Sequence, residues 1–145
     1  MPSSTPDELI KQLVHARERA AAAVESALAR HDLSVSKYAA LSLLAQAEGR
    51  RLPLSVLAER LRCAKSNVTG LVNRLEADGL VRRVVDPRDR RRSLAELTED
   101  GARRLSAATP EHKAALADTV GELSLAERKD LLRLLQKLSR EPSSQ

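Results

Sequence analysis

The chain has no phenylalanine, no tryptophan and one tyrosine, Tyr38. Proteins that hold single-stranded nucleic acid rely on aromatic side chains as stacking platforms, so that ligand class is disfavoured from the start. A single cysteine, Cys63, leaves no internal disulfide framework and suits a reducing, cytoplasmic setting. No apolar run approaches the roughly 20 residues of a membrane span. The opening "MPSSTPDELI" has neither the basic nor the apolar region of a signal peptide. GxGxxG, GKS/T, GxSxG and HExxH motifs are missing, as is any paired-carboxylate signature, so no catalytic residue and no cofactor are nominated. His15, His31 and His112 are far apart and lack metal-ligand spacing.

What is present is charge and small apolar residues. At 145 residues, 42% hydrophobic and 31% charged, the chain is long enough to bury a core as one domain or two small ones. A net charge of +5 points mildly toward a polyanionic partner. Arginine supplies 19 of the 25 basic residues, a bias that GC-rich coding explains as readily as function does. The distribution says more. "DPRDRRR", residues 86–92, sets four arginines and two aspartates in one turn, which costs stability unless an opposite charge relieves it.

Most of the remainder reads as helix. "TPDELIKQLVHARERAAAAVESALARH" opens with Thr5 as N-cap and Pro6 at the first helical position, and its alanine run favours a long helix. A second helix spans about Ser34 to Ala47, and Glu48-Gly49 stops it. "LSVLAERL" is a short helix, followed after "LRCA" by "KSNVTGLVNRLEAD". There Val68, Leu71, Val72 and Leu75 form an apolar stripe, leaving small polar residues outside. Gly79 ends that helix, "LVRRVV" and "RSLAEL" make two strands around Asp86-Pro87, and Thr98 caps the next helix. Pro110 is expected to kink or interrupt it. "SLAE", 124–127, is a capping box for a last helix with more leucines than one narrow stripe holds. The tails "MPSS" and "EPSSQ" are expected to fray.

Two short helices joined by a tight turn, then a hairpin with a basic tip, form a winged helix-turn-helix. Its second helix enters the major groove of duplex DNA while the hairpin reaches phosphates and the minor groove. The fold class is therefore mainly α with a small β hairpin (α+β). Gly70, inside that second helix, has two explanations: close approach to DNA, or a tight helix–helix packing contact.

"LPLSVLAERLRCAKSNVTGLVNRLEADGLVRRVVDPRDRRRSLAELTEDG" resembles the MarR family of bacterial transcriptional regulators, most closely in "VTGLVNRLEADGLVRR", "DPRDRR" and "LTEDG". The resemblance covers nearly the whole chain. It implies a winged helix-turn-helix at 33–104 flanked by dimerisation helices at 1–32 and 105–145, in one compact unit. It further implies a homodimer on a palindromic double-stranded operator, usually a repressor and often relieved by a small-molecule effector or by oxidation. By position, Lys65, Ser66, Asn67, Thr69, Gly70 and Asn73 face DNA and Arg74 reaches a phosphate. Asp89 and Arg91 match the family's Asp-x-Arg pair, in which the acid positions an arginine in the minor groove, and Arg88, Arg90 and Arg92 hold phosphates. Two positions depart from the pattern: Arg62 stands at the usual turn glycine and Ala64 at the usual Ser/Thr cap, leaving the cap to Ser66 or to water.

Other readings compete with this one. Cys63, where the family usually places valine or leucine, reads as a small buried hydrophobe. The alternative is a redox-sensing thiol activated by Arg62 and Lys65. The three histidines read as surface or interface residues unless folding gathers them into a metal site. Tyr38 falls near the cleft where relatives take phenolic effectors, or simply packs. A winged-helix protein-interaction module that never touches DNA is the remaining rival; an amphipathic membrane-surface role for the first helix fits poorly with its mixed charge.

Overall fold

The computed structural model describes residues 4–140, so the fraying expected for "EPSSQ" and for all but Ser4 of "MPSS" concerns positions outside the described residues. Six helices and three strands follow in the order α1 (Pro6–Ala29), α2 (Val35–Gln46), β1 (Arg51–Pro53), α3 (Leu54–Leu61), α4 (Lys65–Ala77), β2 (Val81–Val85), β3 (Ser93–Leu97), α5 (Glu99–Thr119) and α6 (Leu125–Leu138).

Local chemistry sets most of these boundaries. The hydroxyls of Thr5, Ser34, Thr98 and Ser124 each accept from the backbone N–H three residues on, relieving one orphan donor per helix. Ser124 also donates its own N–H to Glu127 Oε1 at 2.9 Å, completing the capping box. Gly79 sits at φ +75°, the left-handed value that ends a helix at little cost for glycine only.

The core is built by α1's last turns, α2, α3, α4, the sheet and one side of α5. Leu28, Leu41, Leu44, Leu57, Val72 and Leu75 are fully buried there. The stripe read on α4 is all inside: Val68, Leu71, Val72 and Leu75 are its buried residues. Each such side chain contributes roughly 1.5–3 kcal/mol, enough to hold a 13-residue helix whose N-terminus has no side-chain cap.

The structure corrects the sequence reading in three places. The expected two-stranded hairpin is a three-stranded antiparallel sheet in the order β1-β3-β2, with Leu52 paired to Ala95. "GRRLP" hides a strand because three residues are too few to show a period, and because its partner lies more than forty residues away. α5 runs through Pro110 as one helix, so of the kink or interruption expected there the interruption does not occur. The proline is exposed, while Ala108 beside it is fully buried, so packing holds the helix across the lost hydrogen bond. Ser66 does not cap α4: the N-cap is Ala64, and no side chain serves it.

Candidate nucleic-acid interface

α3 and α4 are joined by three residues, Arg62 to Ala64. Arg62 takes the left-handed conformation, φ 53° and ψ 46°, and its N–H bonds back to the end of α3. That backbone position is what re-aims the chain, and a side chain there costs about 1–2 kcal/mol relative to glycine. The outer face of the helix that follows is open. Lys65, Ser66, Asn67, Thr69, Asn73 and Arg74 are exposed, and Gly70 is half-buried. An added Cβ at Gly70 would meet only the end of Arg74's own guanidinium, at 3.4 Å. No neighbouring helix presses on Gly70, which removes the packing explanation for this glycine within the chain.

The turn between β2 and β3 uses both of its acids internally. Asp86 is 8% exposed and accepts from the Arg88 N–H at 2.9 Å, while its own N–H donates to the Arg92 carbonyl at 3.1 Å. Asp89 Oδ1 accepts from the Arg91 backbone N–H at 3.0 Å and from the side-chain Nε at 3.3 Å, holding the exposed Arg91 side chain at one point. Asp89 and Arg91 are thus brought together. Arg88, Arg90 and Arg92 are exposed and have no acidic partner among the described residues. Local Arg–Asp pairing therefore relieves one arginine of four, and the repulsion inside "DPRDRRR" stands.

Several contacts escaped the sequence reading because they join separate elements. Arg83 of β2 donates from Nη2 to Asn73 Oδ1 at 2.6 Å, and its backbone N–H donates to Glu76 Oε2 at 3.0 Å. The wing's edge strand is thereby tied to the outer face of α4. Lys37 Nζ lies 2.7 Å from Asp78 Oδ2, fastening the start of α2 to the end of α4. Across the sheet, Glu96 stands opposite both Arg51 and Arg82 and pairs with each. Alternating charge along that row was the only available hint. Gly101, in the first turn of α5, has no Cβ because one would overlap the Leu80 carbonyl and lie 2.7 Å from Leu97 Cδ1.

Comparison with known proteins agrees with this architecture. Residues 31–92 match the MarR family. The HTH-type transcriptional repressor YetL of Bacillus subtilis is 32% identical over 112 residues, covering 77% of this chain and 67% of that protein. The transcriptional regulator HosA of Escherichia coli O111:H- is 32% identical over 107 residues, covering 74% of this chain and 78% of HosA. The chain belongs to the MarR family. Among solved structures of that family, Sco3205 from Streptomyces coelicolor in complex with DNA superposes with a TM-score of 0.85 at 27% identity, over 99% of this chain and 94% of the other.

This MarR-family chain keeps its remaining candidates apart. Cys63 is half-buried against the edge of the core rather than sealed inside it. It lines an open cleft of about 540 Å³ between α2 and α4, together with Val35, Ser66, Gly70 and Arg74. His15 is exposed. His31 Nε2 lies 3.1 Å from Glu111 Oε1, and His112 stacks on Tyr38 with ring centroids 4.3 Å apart. No group of three His, Cys, Asp or Glu able to hold a metal occurs among the described residues. Tyr38 also donates to Thr109 Oγ1 at 3.3 Å, so its ring and hydroxyl are both engaged in joining α2 to α5. No helix among the described residues is long and apolar enough to cross a membrane.

Proposed function

We propose that this regulator binds double-stranded DNA as a two-fold homodimer and represses from a palindromic operator in the cytoplasm. The carrying observation is the pairing of two open basic features. α4 buries one face completely and presents Lys65, Ser66, Asn67, Thr69, Gly70, Asn73 and Arg74 on the other. Next to it stands a wing with three guanidiniums that have no acidic partner among the described residues and one, Arg91, oriented by Asp89. A helix with small outer residues suits close approach to base edges, and loose guanidiniums suit phosphates. Arg91, whose Nε is held by Asp89 while the rest of its side chain stands exposed, suits the narrow minor groove. Sco3205 is solved with DNA and YetL is named a repressor, which favours the same reading here.

Dimerisation through residues 1–32 and 105–145 is supported by leucines left open among the described residues. Leu125, Leu132 and Leu138 of α6 are 67%, 57% and 70% exposed, and Leu9, Ile10, Leu13 and Val14 of α1 are open too. Apolar surface left open on both flanking helices calls for a second copy, and a two-fold pair places recognition helices about one DNA turn apart, roughly 34–36 Å.

Duplex binding measured against salt tests this directly. Three phosphate-seeking arginines in each of two wings give a slope of log K on log salt near −5. A protein-interaction module would bind duplex weakly and without that slope. Asp89→Ala supplies the sharper sign. It removes a negative charge, so pure electrostatics demands tighter binding, whereas an Arg91 that depends on Asp89 demands weaker binding, by several-fold. Tighter binding would reduce the wing to a charged bumper.

A further inference from the structure

We propose that Arg83 is a positioning residue for sequence readout: it fixes the Asn73 carboxamide so that α4 offers hydrogen-bond donors at that position and selects guanine. The proposal rests on the reading of α4 as the DNA-facing helix and goes further by naming what one of its side chains reads. The Arg83 guanidinium approaches the Asn73 side chain at 2.6 Å. A guanidinium carries donors only, so the atom facing it must be the amide oxygen and not the amide nitrogen. That settles the orientation of a group which otherwise has two.

The consequence follows from what each base edge displays. An asparagine free to turn pairs with adenine by accepting from N6 and donating to N7. Asn73 has its oxygen drawn back toward β2, and its Nδ2 has no partner among the described residues. The free end is therefore an NH₂ group, which matches an edge made of acceptors. Guanine alone presents two adjacent acceptors, O6 and N7, in the major groove.

Arg83 is itself held, which makes it a support rather than a loose neighbour. Its backbone N–H is bound by Glu76 at 3.0 Å, one helical turn from Asn73 on the same side of α4. It lies in register with Ala95, in the middle of the β2–β3 ladder. Two hydrogen bonds thus couple the wing's edge strand to α4, so that the wing's position bears on the amide.

The probe is a pool of random-sequence duplexes enriched on the full-length protein, followed by affinity for single-base variants of the best duplex. Wild type should prefer guanine over adenine at one base pair in each half-site, on the order of tenfold. Asn73→Ala should abolish that preference at that pair only. Arg83→Met, which keeps the stem and loses the donors, should weaken the same preference while leaving other positions unchanged. In an Asn73→Ala background, Arg83→Met should change that preference no further, since an indirect residue has nothing left to act through. Asn73→Asp, which turns the free end into an acceptor, should move the preference toward cytosine with its N4 donor. An Arg83→Met protein that loses affinity equally on every sequence, with a salt slope smaller by about two (one contact in each half-site), would make Arg83 a phosphate contact and overturn the proposal. Wild type that enriches duplexes with adenine at the Asn73-dependent pair would overturn it as well. Failure of the wild-type protein to bind any duplex would sink the functional reading and this inference together.

Discussion

Residues 33–104 and the segments on either side of them are both rich in leucine, yet they treat it in opposite ways. In the middle, Leu41, Leu44, Leu57, Leu75 and Leu80 are 0–1% exposed. In the flanks, α1 buries nothing before Val24 and α6 buries nothing at all. Middle helices are held by what they pack against, even where local signals fail them: α4 lacks a side-chain cap and α3 ends on a left-handed arginine. The flanking helix α6 reverses this, with a complete capping box and no core. One region carries its stability inside the chain. The other has an apolar face that no described residue covers, the face that the proposed dimer would bury.

Gly101→Ala should break the middle region and gives the largest effect. The added methyl would overlap the Leu80 carbonyl, a backbone atom that cannot turn aside as a side chain can. Relief requires moving α5 off the sheet, which also strains the Thr98 hydroxyl bond to the Gly79 carbonyl at 2.7 Å. A loss of about 3 kcal/mol or more is expected, read by denaturant unfolding. A loss below about 1 kcal/mol would mean the middle is not tightly packed, and the contrast with the flanks would fade.

That substitution also shows where the sequence was legible. Helix caps were readable because Thr5, Thr98 and Ser124 act on N–H groups only three residues away. The α4 stripe was readable because burial follows a 3.6-residue period. β1 was not, since three residues ending in Pro53 pair with a strand far along the chain. Gly101 stood out only within "LTEDG", with no visible reason; its reason is a contact to Leu80, two elements back. At the candidate site the exposed residues of α4 were within reach of the helical period, whereas the Asp89–Arg91 pair came only from the family resemblance. Arg83 was not, because nothing in β2 announces that it meets Asn73.

Leu132→Glu together with Leu138→Glu should break the flanks while sparing the middle. Both side chains are more than half exposed in the single chain, so glutamate costs that chain little. Across a two-fold interface each change counts twice and buries charge against apolar surface, raising the dissociation constant by about 100-fold or more. Sedimentation at micromolar concentration should then give a species of 15.9 kDa in place of its dimer, with the helical signal largely kept. A double variant that stays dimeric would place the interface elsewhere. One that unfolds would show that the middle cannot stand without the flanks.

Arg62→Gly sharpens the comparison from inside the middle region. Glycine visits the left-handed conformation without the clash that Arg62 bears, so a gain of about 1 kcal/mol is expected, measured in the same unfolding experiment. The gain should be equal in the dimer and in the Leu132→Glu, Leu138→Glu monomer, because the strain lies in the backbone of Arg62 itself. A gain seen only in the dimer would mean that strain at the α3–α4 turn is set by assembly.

The smallest effect concerns α6 alone. Its cap draws the Glu127 carboxyl below the ordinary carboxylate value of 4.5, first through the Ser124 backbone N–H and second through the Ser124 side chain, against a smaller desolvation cost. A carboxyl whose folded pKa is depressed lends its support above the unfolded value and withdraws it as the pH falls through the lower folded one. In the monomeric variant, amide exchange in the first turn of α6 should therefore quicken as the pH drops below 4.5, after correction for the intrinsic pH dependence of exchange. Ser124→Ala should show faster exchange already at neutral pH and a weaker response to acid, with Glu127 titrating nearer its ordinary value. Amides of α4 should follow neither change, because packing holds that helix and no side chain caps it. If the α4 amides moved in step with those of α6, the two regions would be one cooperative unit. The exposed leucines would then mark surface alone, and not a face waiting for its partner.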